Sequence, residues 1–386
     1  MDVVVAGGGV GGSVAALLLA RSGHHVTVLE RVASPQAVGA GILLQANGLA
    51  VLHGLGLREA LEARAARLDA VRLLRTDGTP IADQPVPDLG EGLDHLLVLR
   101  RSHLATVLAD ALAAEPGVEL VWGREVTDVD STGRVLHGGD GLAADLVVGA
   151  DGVHSVVRDR GDFGANVAPT GSTYLRTIVP LTPNLGGEVW TRLGLFGSAD
   201  LVDGTYFYAD VTSPEVKAAV DSRDLDALRA TWAPVLPACR DLFGAVGSFD
   251  DLLVNEVRRV TCRTWIRGHT VLLGDAAHAM EPTLGQGANS AIVDAAVLAL
   301  ELATAPMAEA LAAYDARRRP VVSKVQRDAD RLARASRLRS SLARRARDAA
   351  TKAAARPGPS AKRYRQVQQE DPVRLMADVR AVTMTP

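Results

Sequence analysis

Cysteine is nearly absent from this chain. Cys239 and Cys262 are the only two among 386 residues. Two cysteines make no disulfide framework, so the fold must hold by packing, and a reducing cytoplasm is the expected setting. Lysine is scarce as well, with none before Lys217, so nearly all positive charge is arginine. The formal net charge is −3, which excludes a whole-molecule electrostatic grip on nucleic acid. Aromatic residues make up 4% against 47% hydrophobic, so the core is aliphatic. No basic stretch precedes the first apolar run, and the apolar run at 15–20 is far too short to span a bilayer. A soluble cytoplasmic protein with no integral membrane segment is expected. No metal site is expected.

What the chain has in quantity is glycine and short apolar runs. "DVVVAGGGVGGSVAALLLARSGHHVTVLER" reads as a strand over 2–6, a helix over 10–22 and a second strand over 26–29 that ends in Glu30. Residues 101–115 predict an amphipathic helix, and 118–152 predict short strands joined by glycine turns. Residues 165–262 alternate β-like runs with brief helices, and 287–303 predict a helix. The predicted fold class is α/β, with one nucleotide-binding domain assembled from 1–70, 96–165 and 266–305. A second, β-rich domain comes from 71–95 and 166–265. A C-terminal helical region, 306–386, is broken by "RPGPS" at 356–360, and its last residues read as an appended tail.

Three motifs carry chemistry. Gly7-Gly8-Gly9-Val10-Gly11-Gly12 is a GxGxxG between strand and helix. Gly7 permits the tight turn, Gly9 a close approach to a pyrophosphate, and Gly12 close helix–strand packing. Glu30 follows 18 residues after Gly12, where a carboxylate accepts from a ribose diol. The pattern does not separate NAD from FAD. In "DLVVGADGVHSVVR", Asp151 and Gly152 fall at a strand tip, although Asp-Gly is also a common plain turn. In "TVLLGDAAHAMEPTLGQGANSAIVDA", Asp275 sits at another strand tip, Pro282 stiffens the approach, and Gly285-Gln286-Gly287 opens a helix. Free N–H groups at such a helix start favour negative charge, which a reduced flavin ring carries on its pyrimidine edge.

In order and spacing these motifs resemble the class A FAD-dependent aromatic monooxygenases, the family of para-hydroxybenzoate hydroxylase and salicylate hydroxylase. The late motif matches through Gly274, Asp275, Ala276, Ala277, His278, Pro282, Gly285, Gln286, Gly287, Asn289, Asp294 and Ala295. Residues 39–57 and 98–108 also resemble family segments, and the likeness runs over about residues 1–340. It implies a discontinuous Rossmann-like FAD-binding domain with an inserted β-sheet substrate domain and a C-terminal helical extension. Gly7, Gly9, Val10 and Gly12 would take the pyrophosphate, Glu30 with Arg31 the adenosine end, and Arg101 the length of the FAD chain. Asp151 and Asp275 would serve the pyrophosphate and ribityl region. The amides of Gly285, Gln286, Gly287, Ala288 and Asn289 would hold the pyrimidine edge. Pro282, Gly285 and Gly287 would border the reacting ring. NAD(P)H would act as a transient co-substrate that reduces the flavin. O2 would then form a flavin C4a-hydroperoxide that hydroxylates an aromatic or polyketide-like small molecule.

The substrate would lie between the inserted sheet and the flavin, with Gln45, Arg176, Arg192, Tyr206 and Tyr208 as candidate contacts. Core packing or a solvated sheet face is the plainer role for each. His278 reads as a structural hydrogen-bonder. The arginine-rich stretch 317–356 lacks interleaved aromatics and reads as the solvated face of a long helix. The same flavin chemistry could instead give epoxidation, Baeyer–Villiger insertion or antibiotic inactivation. A non-catalytic flavin-binding redox sensor is the reading from another class. A flavin halogenase is disfavoured, since its WxWxIP signature is absent.

Overall fold

The computed structural model describes residues 1–34, 40–130, 132–355 and 364–383. The expected helix break at 356–360 and the first residue of the 39–57 segment lie outside the described residues. A six-stranded sheet forms the centre. Its order is Ile266–Arg267, Thr270–Leu272, Leu146–Gly149, Asp2–Ala6, His25–Glu30, Val118–Trp122, all parallel except the first edge strand. Val3, Val4 and Val5 are all buried, as expected for a parallel strand with both faces covered. The helices Val10–Arg21 and Gly287–Thr304 pack against each other beside this sheet. Gly11 makes that possible, because a Cβ there would lie 2.8 Å from Leu273 and 3.0 Å from Ala291. Gly12 has the role read from the sequence. Its Cβ would fall 2.0 Å from the Gly7 carbonyl oxygen.

A seven-stranded sheet stands apart from the first. Its order is Leu253–Thr261, Asn166–Val179, Gly204–Asp210, Leu195–Leu201, Glu188–Trp190, Ala70–Leu74, Pro80–Pro85. The long strand Asn166–Val179 changes register between Pro169 and Thr173, which accommodates the proline inside a sheet. Period-two alternation sorts its side chains. Leu175, Phe196 and Phe207 face a cluster with Trp232 and Phe243 under the short helices Pro214–Asp221 and Leu225–Trp232. Tyr174 and Arg176 pair across the ladder with Asp210 and Tyr208, so Tyr174, Arg176, Tyr206 and Tyr208 share the opposite face. A small sheet of Gly41–Leu44, Leu96–Arg100 and Ala66–Leu68 links the two bodies. Gly41 lies flat under the Tyr206 ring, where a Cβ would come within 2.6 Å of a ring carbon.

Two C-terminal expectations need correction. The segment read as an appended tail ends in a helix, Pro372–Thr383, whose Leu375, Met376 and Val379 are buried against the helix Ala46–Gly54. Gly54 lets it approach, since a Cβ there would meet Val379 Cγ1 at 2.6 Å. The apolar i, i+1, i+4 spacing of those three residues was present in the sequence as a core-facing stripe. The arginine-rich stretch is likewise not wholly a solvated face. On the helix Met307–Ser336 Arg318 is fully buried, and Arg347 on Ser341–Ala354 is buried over the Trp190 ring. Among the described residues one helix, Gly287–Thr304, is long and apolar enough to cross a membrane, but most of it is buried inside the fold as a core helix.

If the terminal helix is core, Leu375→Ala should cost about 2–5 kcal/mol of unfolding free energy in urea titration. A surface tail would show no change.

Candidate active site

The glycine loop and the late motif meet at one edge of the parallel sheet. At Gly9 and at Gly287 an added Cβ would have nothing within 4 Å, so both backbones lie open on one side. Gly7 has φ +99° and abuts Ala150, where a Cβ would be 2.6 Å from the carbonyl oxygen. Only glycine fits there. Glu30 turns its carboxylate onto the loop, Oε2 accepting from Gly8 N–H at 2.7 Å and Oε1 from Val32 N–H at 3.0 Å. A carboxylate has lone pairs left for a diol after two such bonds. Asp151 accepts from Val157 N–H at 3.1 Å through Oδ2, while its Oδ1 is buried without a partner among the described residues. Burial pushes its pKa up, against hydrogen bonds from Ser155 and the Val157 amide. Arg31, Arg101 and Asp275 are exposed and make no ion pair among the described residues. Arg101 is the first residue of the helix Arg101–Ala113.

The late motif folds as a turn held from all sides. Gly274 (φ +59°) leads into the short helix Asp275–His278. A 3-10 turn, Pro282–Leu284, follows, and Gly285 at φ +63° reverses the chain into Gly287–Thr304. The N–H groups of Gly287, Ala288 and Asn289 have no acceptor among the described residues, as the first turn of a helix requires. Pro282 is exposed beside them. Glu281, just before it, is buried and bonds Ser172 Oγ and, at 3.4 Å, the Tyr174 hydroxyl of the seven-stranded sheet. Thr283 Oγ1 donates to Ala329 O at 2.9 Å.

Asp294 ties the motif together. One carboxylate oxygen accepts from Gly274 N–H at 3.1 Å and bonds His278 Nε2, and the other accepts from Arg318 Nε at 2.8 Å. Burial pushes its pKa up, but His278 and the Arg318 guanidinium outweigh that and hold it below the usual carboxylate range. His278 is thus a buried hydrogen-bonder, as its motif position suggested. Arg158 does related work between the Asp-Gly segment and the late motif, its Nη1 donating to Val153 O at 3.1 Å and Ala276 O at 3.2 Å.

Gln45 and Gln286 bond each other through their side chains. Gln286 is fully buried, with Nε2 donating to Gln45 Oε1 at 2.8 Å and Oε1 accepting from Asn47 Nδ2 at 3.0 Å. Gln45 Nε2 donates to Leu284 O at 2.8 Å. Both ends of the Gln45 amide are therefore engaged within the protein, against the turn. Asn289 is buried too. Its Oδ1 accepts from Gln45 N–H at 3.0 Å, and its Nδ2 donates to Leu43 O and Gly285 O at 2.9 and 2.8 Å. What these positions leave free toward the open side is their backbone, not their side chains.

Of the sheet candidates, three come together and one does not. The Tyr206 and Tyr208 rings lie 5.5 Å apart. Burial raises the Tyr206 pKa against the nearby charges of Arg176 and Arg101. Tyr208 donates to Glu188 Oε2 at 2.9 Å, and Trp190 Nε1 donates to the other oxygen. Burial raises the Glu188 pKa against those two bonds. Arg176 is half-buried, and no carboxylate pairs with it among the described residues. Arg192, by contrast, is exposed and pairs with Glu215 at 3.5 Å, away from that group. It is removed from the candidate contacts. Sequence reading missed Gly11, Asn47, Arg158, Glu281 and Arg318. Gly11, Arg158 and Glu281 had a signal, since each sits inside a quoted motif, and Asn47 falls in the 39–57 segment; Arg318 had none.

Residues 1–182 and 218–329 match the model of the FAD binding domain family. The chain is 36% identical over 359 residues to 3-amino-4-hydroxybenzoate 2-monooxygenase from Streptomyces cremeus, covering 86% of each protein. It is 31% identical over 357 residues to 6-hydroxynicotinate 3-monooxygenase from Pseudomonas fluorescens, covering 84% of this chain and 89% of that one. Among solved structures it is similar to the tetrameric form of 2-methyl-3-hydroxypyridine-5-carboxylic acid oxygenase, with a TM-score of 0.77, 26% identity and 97% of both chains covered. The chain belongs to the FAD-dependent aromatic monooxygenases. It is an enzyme of that family with a para-hydroxybenzoate hydroxylase-like fold, and FAD is its cofactor. The open backbones at Gly9 and Gly287, the acceptor-free amides and the orphaned Asp151 oxygen fit that group.

Asp294→Asn leaves Arg318 buried opposite a neutral amide, and the expected loss is about 3–5 kcal/mol. The contribution of Asp294 is fully present above its unfolded pKa of about 3.9 and fades as pH falls through its lower folded value. Urea titrations from neutral to acid pH should therefore show the wild type losing its advantage over Asp294→Asn toward the acid end.

Proposed function

We propose that this monooxygenase hydroxylates an aromatic or heteroaromatic ring bearing both a hydroxyl and a carboxylate. The observation that carries the reading is Arg176, a half-buried guanidinium without an acidic partner beside Tyr206, on the sheet face turned toward the glycine turn. A charge in that setting calls for an anion. The relatives named above act on aminohydroxybenzoate and hydroxynicotinate, and the similar structure on a hydroxypyridine carboxylic acid, which supports the same class.

In this reading the segments 1–70, 96–165 and 266–305 bind FAD, and 71–95 with 166–265 carry the substrate floor. FAD supplies the redox chemistry with NAD(P)H and O2; the chain binds, orients and excludes water. Gly7, Gly9, Val10 and Gly12 give the pyrophosphate a helix start, and Glu30 with Arg31 takes the adenosine end. Arg101, Asp151 and Asp275 flank the chain of the cofactor. The N–H groups of Gly287, Ala288 and Asn289 stabilise negative charge on the pyrimidine edge. Pro282 makes a stiff border, Gly285 reverses the chain, and Gly287 leaves the ring room. Arg176 orients the substrate carboxylate, Tyr206 lies against its ring, and Tyr208 is held in place by Glu188.

The test is aerobic NAD(P)H oxidation with hydroxylated arenes, each with and without a ring carboxylate, read with product mass. Carboxylated compounds should stimulate oxidation and gain one oxygen atom. Arg176→Met should raise KM for them about 30-fold or more while FAD binding is unchanged. Stimulation indifferent to the carboxylate would remove Arg176 from this role. A flavin-loaded protein that oxidises no NAD(P)H under any condition would favour the non-catalytic sensor.

A further inference from the structure

The segment 368–370 lies far from every motif described so far, yet it is bonded to the centre of the late one. Gln368 is fully buried, and its Oε1 accepts from Asn47 N–H at 3.0 Å. Gln369 Nε2 donates to Gln286 Oε1 at 2.9 Å and to Ser290 Oγ at 2.7 Å. Gln369 Oε1 accepts from Arg318 Nη2 at 2.6 Å. Glu370 accepts from Arg317 Nε and Nη2 at 3.0 and 2.9 Å. Gln369 adopts φ +71°, a left-handed backbone that a residue with a Cβ takes only when its surroundings hold it there. Three side-chain bonds do so.

The consequence reaches the turn. Gln286 is the residue just before the helix Gly287–Thr304, and Ser290 sits in that helix's first turn. Gln369 holds both, one on each side of the three acceptor-free amides. Its carbonyl end is fixed by Arg318, which also binds Asp294. The amide therefore cannot flip, and Gln286 keeps its Nε2 on Gln45 and its Oε1 toward Asn47 and Gln369.

We propose that Gln369 is a positioning residue for the flavin, setting the helix start that binds the anionic ring of the reduced cofactor. The proposal rests on the reading that the amides of Gly287, Ala288 and Asn289 meet the pyrimidine edge. Losing hold on that helix start weakens the reduced flavin more than the oxidised one, because only the reduced ring carries the charge.

The test uses the full chain and free FAD. Gln369→Gly removes the three bonds and suits the left-handed backbone, so it does not add strain. It should bind FAD about tenfold more weakly, with a midpoint potential more negative than the wild type. A second measurement uses the unaltered chain. Linkage is reciprocal, so adding FAD should protect the backbone amides of 368–370 from hydrogen exchange. A third variant, Gly287→Leu, fills the open side of the helix start and should abolish FAD binding. If Gly287→Leu loses FAD while Gln369→Gly keeps wild-type affinity and potential, the positioning role is overturned and the segment is only packing. Failure of FAD to protect 368–370 overturns it equally, even where Gln369→Gly does not fold. If Gly287→Leu binds FAD normally, the underlying reading of the amides falls and this proposal with it.

Discussion

The whole site depends on one carboxylate removed from water. Asp294 receives a backbone N–H from Gly274, bonds His278 and pairs with Arg318 inside the fold. Each partner belongs to a different part of the chain's path past the flavin region. Gly274 closes a sheet strand, His278 ends the short helix after it, and Arg318 comes from the long C-terminal helix. A lone buried carboxylate would be prohibitive, and so would a lone buried guanidinium. Together they are tolerable, and the geometry that makes them tolerable fixes three backbones at once. Gln326, eight residues beyond Arg318 on the same buried face, adds bonds to the carbonyls of Val260, His278 and Ala279. The long helix thereby acts as a splint along the motif.

Around that carboxylate the chain divides its labour between backbone and side chain. Near the glycine turn the amide side chains of Gln45, Gln286 and Asn47 bond in a chain, and that of Asn289 bonds the backbones of Leu43, Gln45 and Gly285. That leaves the main-chain N–H groups of Gly287, Ala288 and Asn289 without an acceptor among the described residues. Main-chain groups cannot swing away, so a dipole built from them is preorganised in a way a side chain is not. The seven-stranded sheet works the other way. There the side chains of Arg176, Tyr206 and Tyr208 project from a rigid ladder, with Glu188 and Trp190 bracing the last of them. Backbone groups carry the electrostatics at the glycine turn, and side chains carry them on the sheet face.

Much of this was legible in the sequence, and the illegible part follows a rule. The βαβ start, the strand tips and the glycine turn could be read because local spacing encodes them. Gly7 and Gly12 sit where close approach permits nothing else, and Gly285 takes a left-handed backbone that favours glycine. Arg318 was not legible, since a buried arginine looks the same in sequence as the exposed arginines beside it. For Gln45 sequence position gave the neighbourhood but not the direction of its amide. Arg192 failed for the opposite reason, since it is polar and in the right domain but turned toward Glu215. The terminal helix was legible in Leu375, Met376 and Val379 but was passed over, because its partner, the helix Ala46–Gly54, lies more than three hundred residues earlier. Pairings of that range leave no local trace.

The Gln45–Asn289 bond spans 244 positions and the Asn47–Gln368 bond spans 321. Such closures come late in folding, because loop entropy is lost before the contacts form. On the ribosome the glycine loop and its first strand emerge early and stand ready. The glycine turn therefore gains its last hydrogen-bond partners only from the far end of the chain: a chain halted before residue 368 leaves Asn47 without Gln368, and Gln286 and Ser290 without Gln369.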